Sequence, residues 1–404
     1  MARKKIQMPI KVLFMQSQTY YGADSRIHGL LMQYLDRSKV GVHAACNYGT
    51  DHQKSASATA LEKIKNLNIR PTKFGASIYA RPKKEVINET IREGIPSLYS
   101  LGTLAGYIRK NQIKIIHCTE KPRDALYGFL LSRLTGAKCV IHLHVKAENW
   151  ISPRVQWAMR NADALIGISR FVSESMIAMG FPMERIHTVY NSLALEGWDP
   201  ETDGRKIREE FQIAPEIPLL LIVSRLFSWK GHTELLKALA LLTPQMPEIK
   251  LFIVGDNDPR AHPGGGSYSE ELKTLVHNLG LSENVIFTGH RSDIPQLMAA
   301  CDLYTMPSFE EPFGVVYLEA MAMKKPVVAL DNGGSREIVQ HGESGLLSLP
   351  GEIEHLAKNI KTLIEDPVLR SRMGACSRQK VEQFFSPAKM ASEVLDIYLK
   401  LLHV

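Results

Sequence analysis

Short apolar runs alternate with stretches of helical period from one end of the chain to the other, and few folds accommodate that pattern. A run that is apolar throughout is buried on both faces, which calls for a parallel sheet covered by helices on each side. The first half carries such runs at 11–16, 40–46, 113–118, 139–144, 164–169 and 185–190. The second half repeats them at 219–224, 250–255, 285–289, 303–307, 326–330 and 345–349. Between the two sets, 191–204 lacks any period and contains Gly197, Pro200 and Gly204, so the linker is expected there. The reading is an α/β protein of two doubly wound domains, over 1–190 and 191–386, followed by a helical pattern from 387 to 404. Sheets of this kind bind ligands beyond the carboxyl ends of their strands.

A length of 404 residues suits two or three separate cores. Cys46, Cys118, Cys139, Cys301 and Cys376 are scattered without C-x2-C spacing, which argues for a reducing compartment, hence the cytoplasm, and against a structural zinc. Ala2-Arg3-Lys4-Lys5 has the charge of a signal-peptide flank, but the following apolar run is broken by Lys11 and gives way to Gln16-Ser17-Gln18-Thr19. It reads as a first strand. Nothing approaches the ~18 apolar residues of a membrane span. Charge is uneven: residues 1–190 hold 28 Lys/Arg against 13 Asp/Glu, and the remainder 21 against 29. One reading is unequal solvated faces. The other is an N-terminal half that meets acidic lipid headgroups or a phosphorylated acceptor, with Lys73, Arg81, Lys83 and Lys84 interleaved by Phe74 and Tyr79 as the contact.

The richest stretch is P-S-F-E-E-P-F-G-V-V-Y-L-E-A-M-A-M-K-K-P, from Pro307 to Pro326. Glu311 sits in a Pro/Gly turn, and Glu319 in the amphipathic run that follows. With a helix beginning near Gly314, the N–H groups of Phe313, Gly314, Val315 and Val316 form a seat for phosphate. Glu319 is then about 7 Å further along the helix, a span suited to a nucleotide sugar. Arg225 and Lys230 follow the strand at 219–224 and precede Gly231. A forked guanidinium beside a point-charge ammonium is what a diphosphate leaving group needs. Solvated surface charges are the plainer alternative for each of these residues taken singly.

His142 and His144 alternate at a strand end, as in some metal hydrolases, but no downstream His or Asp set completes a metal site. Pro263-Gly264-Gly265-Gly266 is not followed by Gly-Lys-Ser/Thr and reads as a surface loop, not a P-loop. Tyr20-Tyr21-Gly22-Ala23-Asp24 holds one glycine where a dinucleotide fingerprint needs three, so no nicotinamide or flavin cofactor is expected.

These motifs resemble those of the retaining family 4 glycosyltransferases of the GT-B fold. The E-P-F-G-x4-E-A-M-A signature stands at 311–322, and Ser224-Arg225-Leu226 to Lys230-Gly231-His232 is similar to the family's G-R-L-x3-K-G segment. Ile253-Val254-Gly255-Asp256 is similar to its strand-to-glycine turn, and Asp331-Asn332-Gly333-Gly334 through Glu337 to its D-x-G-G-x2-E turn. Asp256-Asn257-Asp258 imitates the D-x-D metal motif of the other major glycosyltransferase fold but reads as a turn.

The resemblance implies two facing Rossmann-like domains, the first on the acceptor side and the second binding the donor, with the last helix packed back on the first. It implies that Glu311 holds the sugar hydroxyls, Glu319 the ribose, and Arg225 and Lys230 the diphosphate. His144 takes the place of the active-site histidine, while Gly22, Gly255, Asp256 and His290 lie near the nucleotide. The implied enzyme is metal-independent and cofactor-free. It moves a sugar from a UDP-sugar or GDP-mannose to a saccharide, lipid-linked or small-molecule hydroxyl, in the cytoplasm or at the inner face of the membrane, with no nucleic acid partner. Departures are Tyr21 for the first loop glycine, Asp24 for the loop glutamate, Asn191-Ser192-Leu193-Ala194 for N-G-V-D, and Trp229 for a polar residue. A sugar-nucleotide epimerase, a phosphorylase and a non-catalytic nucleotide-sugar sensor share the architecture and stay open.

Overall fold

The computed structural model describes residues 9–50, 53–74, 83–258 and 267–403. Arg81 and Tyr79 of the basic segment and the glycine run at 263–266 lie outside the described residues, as do the side chains of Lys83 and Lys84. The chain divides into two compact units, Met1–Asn191 with Pro387–Val404, and Ser192–Ser386.

The first unit is built on β1 (Ile10–Gln16), β2 (Val40–Cys46), β5 (Asn68–Pro71), β6 (Ile115–Thr119), β7 (Lys138–Leu143), β8 (Ala164–Gly167) and β9 (Ile186–Thr188), with a separate antiparallel pair of short strands, β3 (Gly49–Thr50) and β4 (Gln53–Lys54). The seven strands form one sheet in the order β5-β2-β1-β6-β7-β8-β9, every neighbour parallel. The second unit has β10 (Leu219–Val223), β11 (Lys250–Val254), β12 (Val285–Gly289), β13 (Leu303–Thr305), β14 (Val327–Leu330) and β15 (Gly345–Ser348) in the order β12-β11-β10-β13-β14-β15. Both sheets reverse direction of winding once, between β1 and β6 in the first and between β10 and β13 in the second. The crevice at the carboxyl ends of those two strands is where such sheets take ligands.

Burial on both faces explains why these strands read as continuous apolar runs. Val12, Leu13, Phe14 and Met15 of β1, and Leu219 to Ile222 of β10, are fully buried. The strand β5, Asn68-Ile69-Arg70-Pro71, escaped the sequence reading because it sits at the sheet edge, half-exposed, with one aliphatic residue. An edge strand with a proline and a charged residue, here Pro71 and Arg70, is what blunts unwanted pairing. The helix Pro387–Leu402 belongs to the first unit: Met390, Val394 and Tyr398 are buried and it packs on the helix Ala23–Tyr34. No helix among the described residues is long and apolar enough to cross a membrane.

Backbone approach in the second unit depends on glycine. Gly255 has φ 138°, and a Cβ there would lie 1.9 Å from the Ser224 carbonyl oxygen. Gly136, which ends the helix Pro122–Thr135 at φ 78°, has nothing within 4 Å of its Cβ position. Gly136→Ala should therefore cost only the left-handed backbone term, about 1 kcal/mol. Gly255→Ala adds a clash with rigid backbone and should cost about 3 kcal/mol or more. Urea denaturation of the two variants checks this, and equal shifts would refute it.

Candidate functional site

Four loops converge at the winding reversal of the second unit. The loop after β10 carries Arg225 and Lys230, that after β11 carries Gly255 to Asp258, that after β13 carries Glu311, and that after β14 carries Asp331 to Gly334. They are tied by backbone. Leu226 N–H donates to the Asp256 carbonyl at 3.0 Å, Phe309 N–H to the Trp229 carbonyl at 2.7 Å, and Gly334 N–H to the Glu311 carbonyl at 2.7 Å. The glycines lie where the loops touch: a Cβ on Gly231 would be 2.0 Å from the Pro307 oxygen, and one on Gly333 would be 2.8 Å from both Glu311 N and Glu311 O. The Lys230 segment thus rests against Pro307 and Phe309, and the Gly333-Gly334 turn against the backbone of Glu311, at two points of one loop.

At the centre, Lys230 Nζ donates to Glu311 Oε2 at 2.6 Å, with the two side chains only 12% and 8% exposed. Trp229, the departure from a polar residue, lies under the ammonium, 4.0 Å from ring centroid to Nζ. Arg225 is more open: its Nη1 donates to the buried Asp258 at 2.5 Å, and its guanidinium lies 5.2 Å from the Phe227 ring centre. Asp258, the last residue of the D-x-D imitation, is thus occupied by an arginine. Both cations expected to meet a diphosphate have carboxylate partners. His232 opens the following helix; burial holds it down at about 4, so it is neutral near pH 7, and its Nε2 is 3.1 Å from Ser224 Oγ at the start of the Arg225 loop.

The helix Val315–Ala322 begins at Gly314, whose φ of 91° and ψ of 70° only glycine adopts without strain. Its first backbone bond is Tyr317 N–H to the Gly314 carbonyl at 3.0 Å, so the N–H groups of Val315 and Val316 precede the intrahelical ladder. Phe313 is buried beneath this turn and Glu319 is half-buried one turn on. Asp256 and His290 are exposed at the carboxyl ends of β11 and β12, with Gly255 N–H bonded to the Gly289 carbonyl at 2.9 Å. The structure therefore brings Arg225, Lys230, Gly255, Asp256, Glu311 and the 313–316 turn to one end of one sheet.

Gly22 and His144 belong to the first unit, at the ends of β1 and β7. Gly22 caps the helix Ala23–Tyr34. Tyr21 packs its hydroxyl over Gly29, where a Cβ would lie 2.2 Å from the oxygen, and Asp24 is paired with Lys121 in a largely buried contact. His144 is partly exposed, but its Nε2 is buried without a partner, and burial first, then neighbouring histidines, pushes it well below the usual range. Its backbone N–H donates to Glu120 Oε2 at 3.2 Å, and burial raises that carboxyl to about 7. Glu120 was not singled out in the sequence because it lies in no recognisable motif, and Asp258, read there as part of a turn, is instead the partner of Arg225. His142 is fully buried, in ring contact with His28 and His117, both upstream of it in the sequence.

Residues 203–380 match the family described as glycosyl transferases group 1, and residues 31–196 match glycosyltransferase family 4. Alpha-D-kanosaminyltransferase of Streptomyces kanamyceticus is 27% identical over 301 residues, 70% of this chain and 75% of that protein. N-acetyl-alpha-D-glucosaminyl L-malate synthase of Bacillus anthracis is 25% identical over 307 residues, 74% and 78% of the two chains. Among solved structures, Anabaena HepE in complex with UDP superposes with a TM-score of 0.78 at 26% identity, covering 97% of this chain and all of the other. The fold is that of the GT-B glycosyltransferases.

The Lys230–Glu311 contact generates a stability test. Removing one partner leaves a buried charge uncompensated, worth about 3 to 5 kcal/mol. Lys230→Met and Glu311→Leu should each destabilise the protein to that degree, and the double variant by clearly less than their sum. Denaturation of all three checks this; strict additivity would mean that the pair is not coupled.

Proposed function

The chain belongs to the family 4 glycosyltransferases, and from that premise we propose that it moves a hexose from a nucleoside-diphosphate sugar to a hydroxyl acceptor with retention at the anomeric carbon. UDP is the favoured nucleotide over GDP, on the strength of the UDP complex of the Anabaena relative. The observation that carries the reading is the meeting of Lys230, Glu311 and Arg225 at the winding reversal of the second unit, beside the N-terminus of Val315–Ala322.

In this reading the donor diphosphate displaces carboxylates from the two cations. Lys230 and Arg225 then neutralise the charge that builds on the leaving oxygen as the C1–O bond breaks, and the N–H groups at 313–316 complete the seat. Glu311, released from Lys230, accepts hydrogen bonds from the sugar hydroxyls, while Glu319 takes those of the ribose. Asp256 and His290 line the base side near Gly255. The acceptor oxygen attacks C1 from the face the diphosphate leaves, and its proton passes to the departing phosphate oxygen, which gives retention without a covalent enzyme intermediate. In the same reading, roles for His144 and Gly22, and acceptor recognition, fall to the first unit. Its basic excess supports an anionic or lipid-linked acceptor and contact with acidic lipid on the cytoplasmic side.

Calorimetry with UDP separates the two carboxylate roles. Glu319→Ala should weaken UDP binding by about 1.5 to 3 kcal/mol, the worth of a hydrogen bond to a charged group. Glu311→Ala should abolish transfer with UDP affinity nearly intact. Equal losses of affinity would overturn the assignment.

Because side chains and a helix terminus supply the positive charge, added magnesium or manganese should change turnover less than about twofold. An absolute requirement for either ion in a turnover assay would remove this site description.

A further inference from the structure

Three histidines far apart in sequence meet inside the first unit: His28 on the helix Ala23–Tyr34, His117 on β6 and His142 on β7. All three are fully buried. One ring nitrogen from each lies within 4.8 Å of the other two. Phe14 closes one side, stacked on His117 at 4.9 Å and edge-on to His28 at 5.6 Å.

Hydrogen bonding within the cluster does not account for it. His117 Nδ1 meets the Tyr398 hydroxyl at 2.6 Å, and His117 Nε2 is 3.3 Å from His142 Nδ1. Both nitrogens of His28 have no hydrogen-bond partner and almost no solvent contact. Buried polar atoms are seldom left this way without a water or an ion to satisfy them. We propose that His28, His117 and His142 form a binding site for one divalent transition-metal ion, zinc(II) by ligand type.

The donor set fits. Imidazole nitrogens bind zinc at about 2.0 to 2.1 Å, so two of them on a tetrahedral ion stand about 3.4 Å apart. The His117–His142 separation of 3.3 Å already matches, and only His28 has to close. Tyr398 supplies the outer partner that metal-bound histidines ordinarily have: with Nδ1–H donated to its oxygen, His117 presents the Nε2 lone pair inward. Burial keeps the three rings neutral near pH 7, the form that binds metal. His144 lies beside the cluster, its ring 4.5 Å from that of His142, so bound metal would order the segment that carries the proposed active-site histidine. The site is independent of the donor assignment in the second unit, and its test reads metal and not activity.

The full-length chain, purified without a polyhistidine tag, is dialysed against metal-free buffer and its metal measured by plasma mass spectrometry. About one equivalent of zinc per chain is expected, or, if zinc was lost in purification, uptake of one equivalent with a rise in Tm on adding zinc chloride. His28→Gln should lower the retained zinc at least tenfold, and His277→Gln, at an exposed position of the second unit, should leave it unchanged. Should His28→Gln not fold, cobalt(II) on the wild-type chain decides, with tetrahedral ligand-field absorption expected. Wild-type protein that carries no zinc, takes up none after refolding in its presence and shows no such cobalt spectrum would overturn the proposal.

Discussion

Around the buried Lys230–Glu311 contact, the loops of the second unit are organised. A carboxylate removed from water must be paired or be neutralised, and here the partner arrives from another loop altogether, 81 residues away. That requirement explains the backbone around it. The Gly231 turn must approach Pro307 closely enough to deliver Lys230, and the Gly333-Gly334 turn must lie against Glu311 to hold the carboxylate-bearing backbone in place. Each contact excludes a Cβ. The glycine and proline spacing of the motifs is thus a consequence of four loops sharing one small volume at the end of a parallel sheet.

The pair also gives the cations of this loop cluster fixed partners. Lys230 and Arg225 each rest on a carboxylate, so neither positive charge waits bare for an anion. A diphosphate brings more negative charge than either carboxylate and can exchange places with them. In the proposed reaction such an exchange frees Glu311 for the sugar hydroxyls as Lys230 engages phosphate, and so couples donor binding to the readiness of that acid.

Polar interior in the first unit has a different character. Its β1 and β6 ends hold the Asp24–Lys121 pair, Glu120 and four histidine rings, arranged next to the winding reversal of that sheet. Polar groups inside a parallel sheet are costly unless satisfied. The nitrogens of His28, His142 and His144 that make no hydrogen bond within the protein lie in this same interior.

Local pattern carried much of this protein. Continuous apolar runs announced twelve of the sheet strands within a few residues, since burial on both faces leaves its mark on every position. Glycine and proline punctuation located the Glu311 loop and the start of Val315–Ala322, because backbone conformations such as the φ of 91° at Gly314 depend on residue type alone. The edge strand Asn68–Pro71 left no such mark, being half-exposed. Nor could spacing reveal that Arg225 would rest on Asp258, that Lys230 would reach Glu311, or that His28, His117 and His142 would meet. Those partners are chosen by which strands lie side by side and by how closely two loops approach. Sequence determines the elements through local burial and backbone preference; the order of strands in the sheet decides which distant side chains share an end of it.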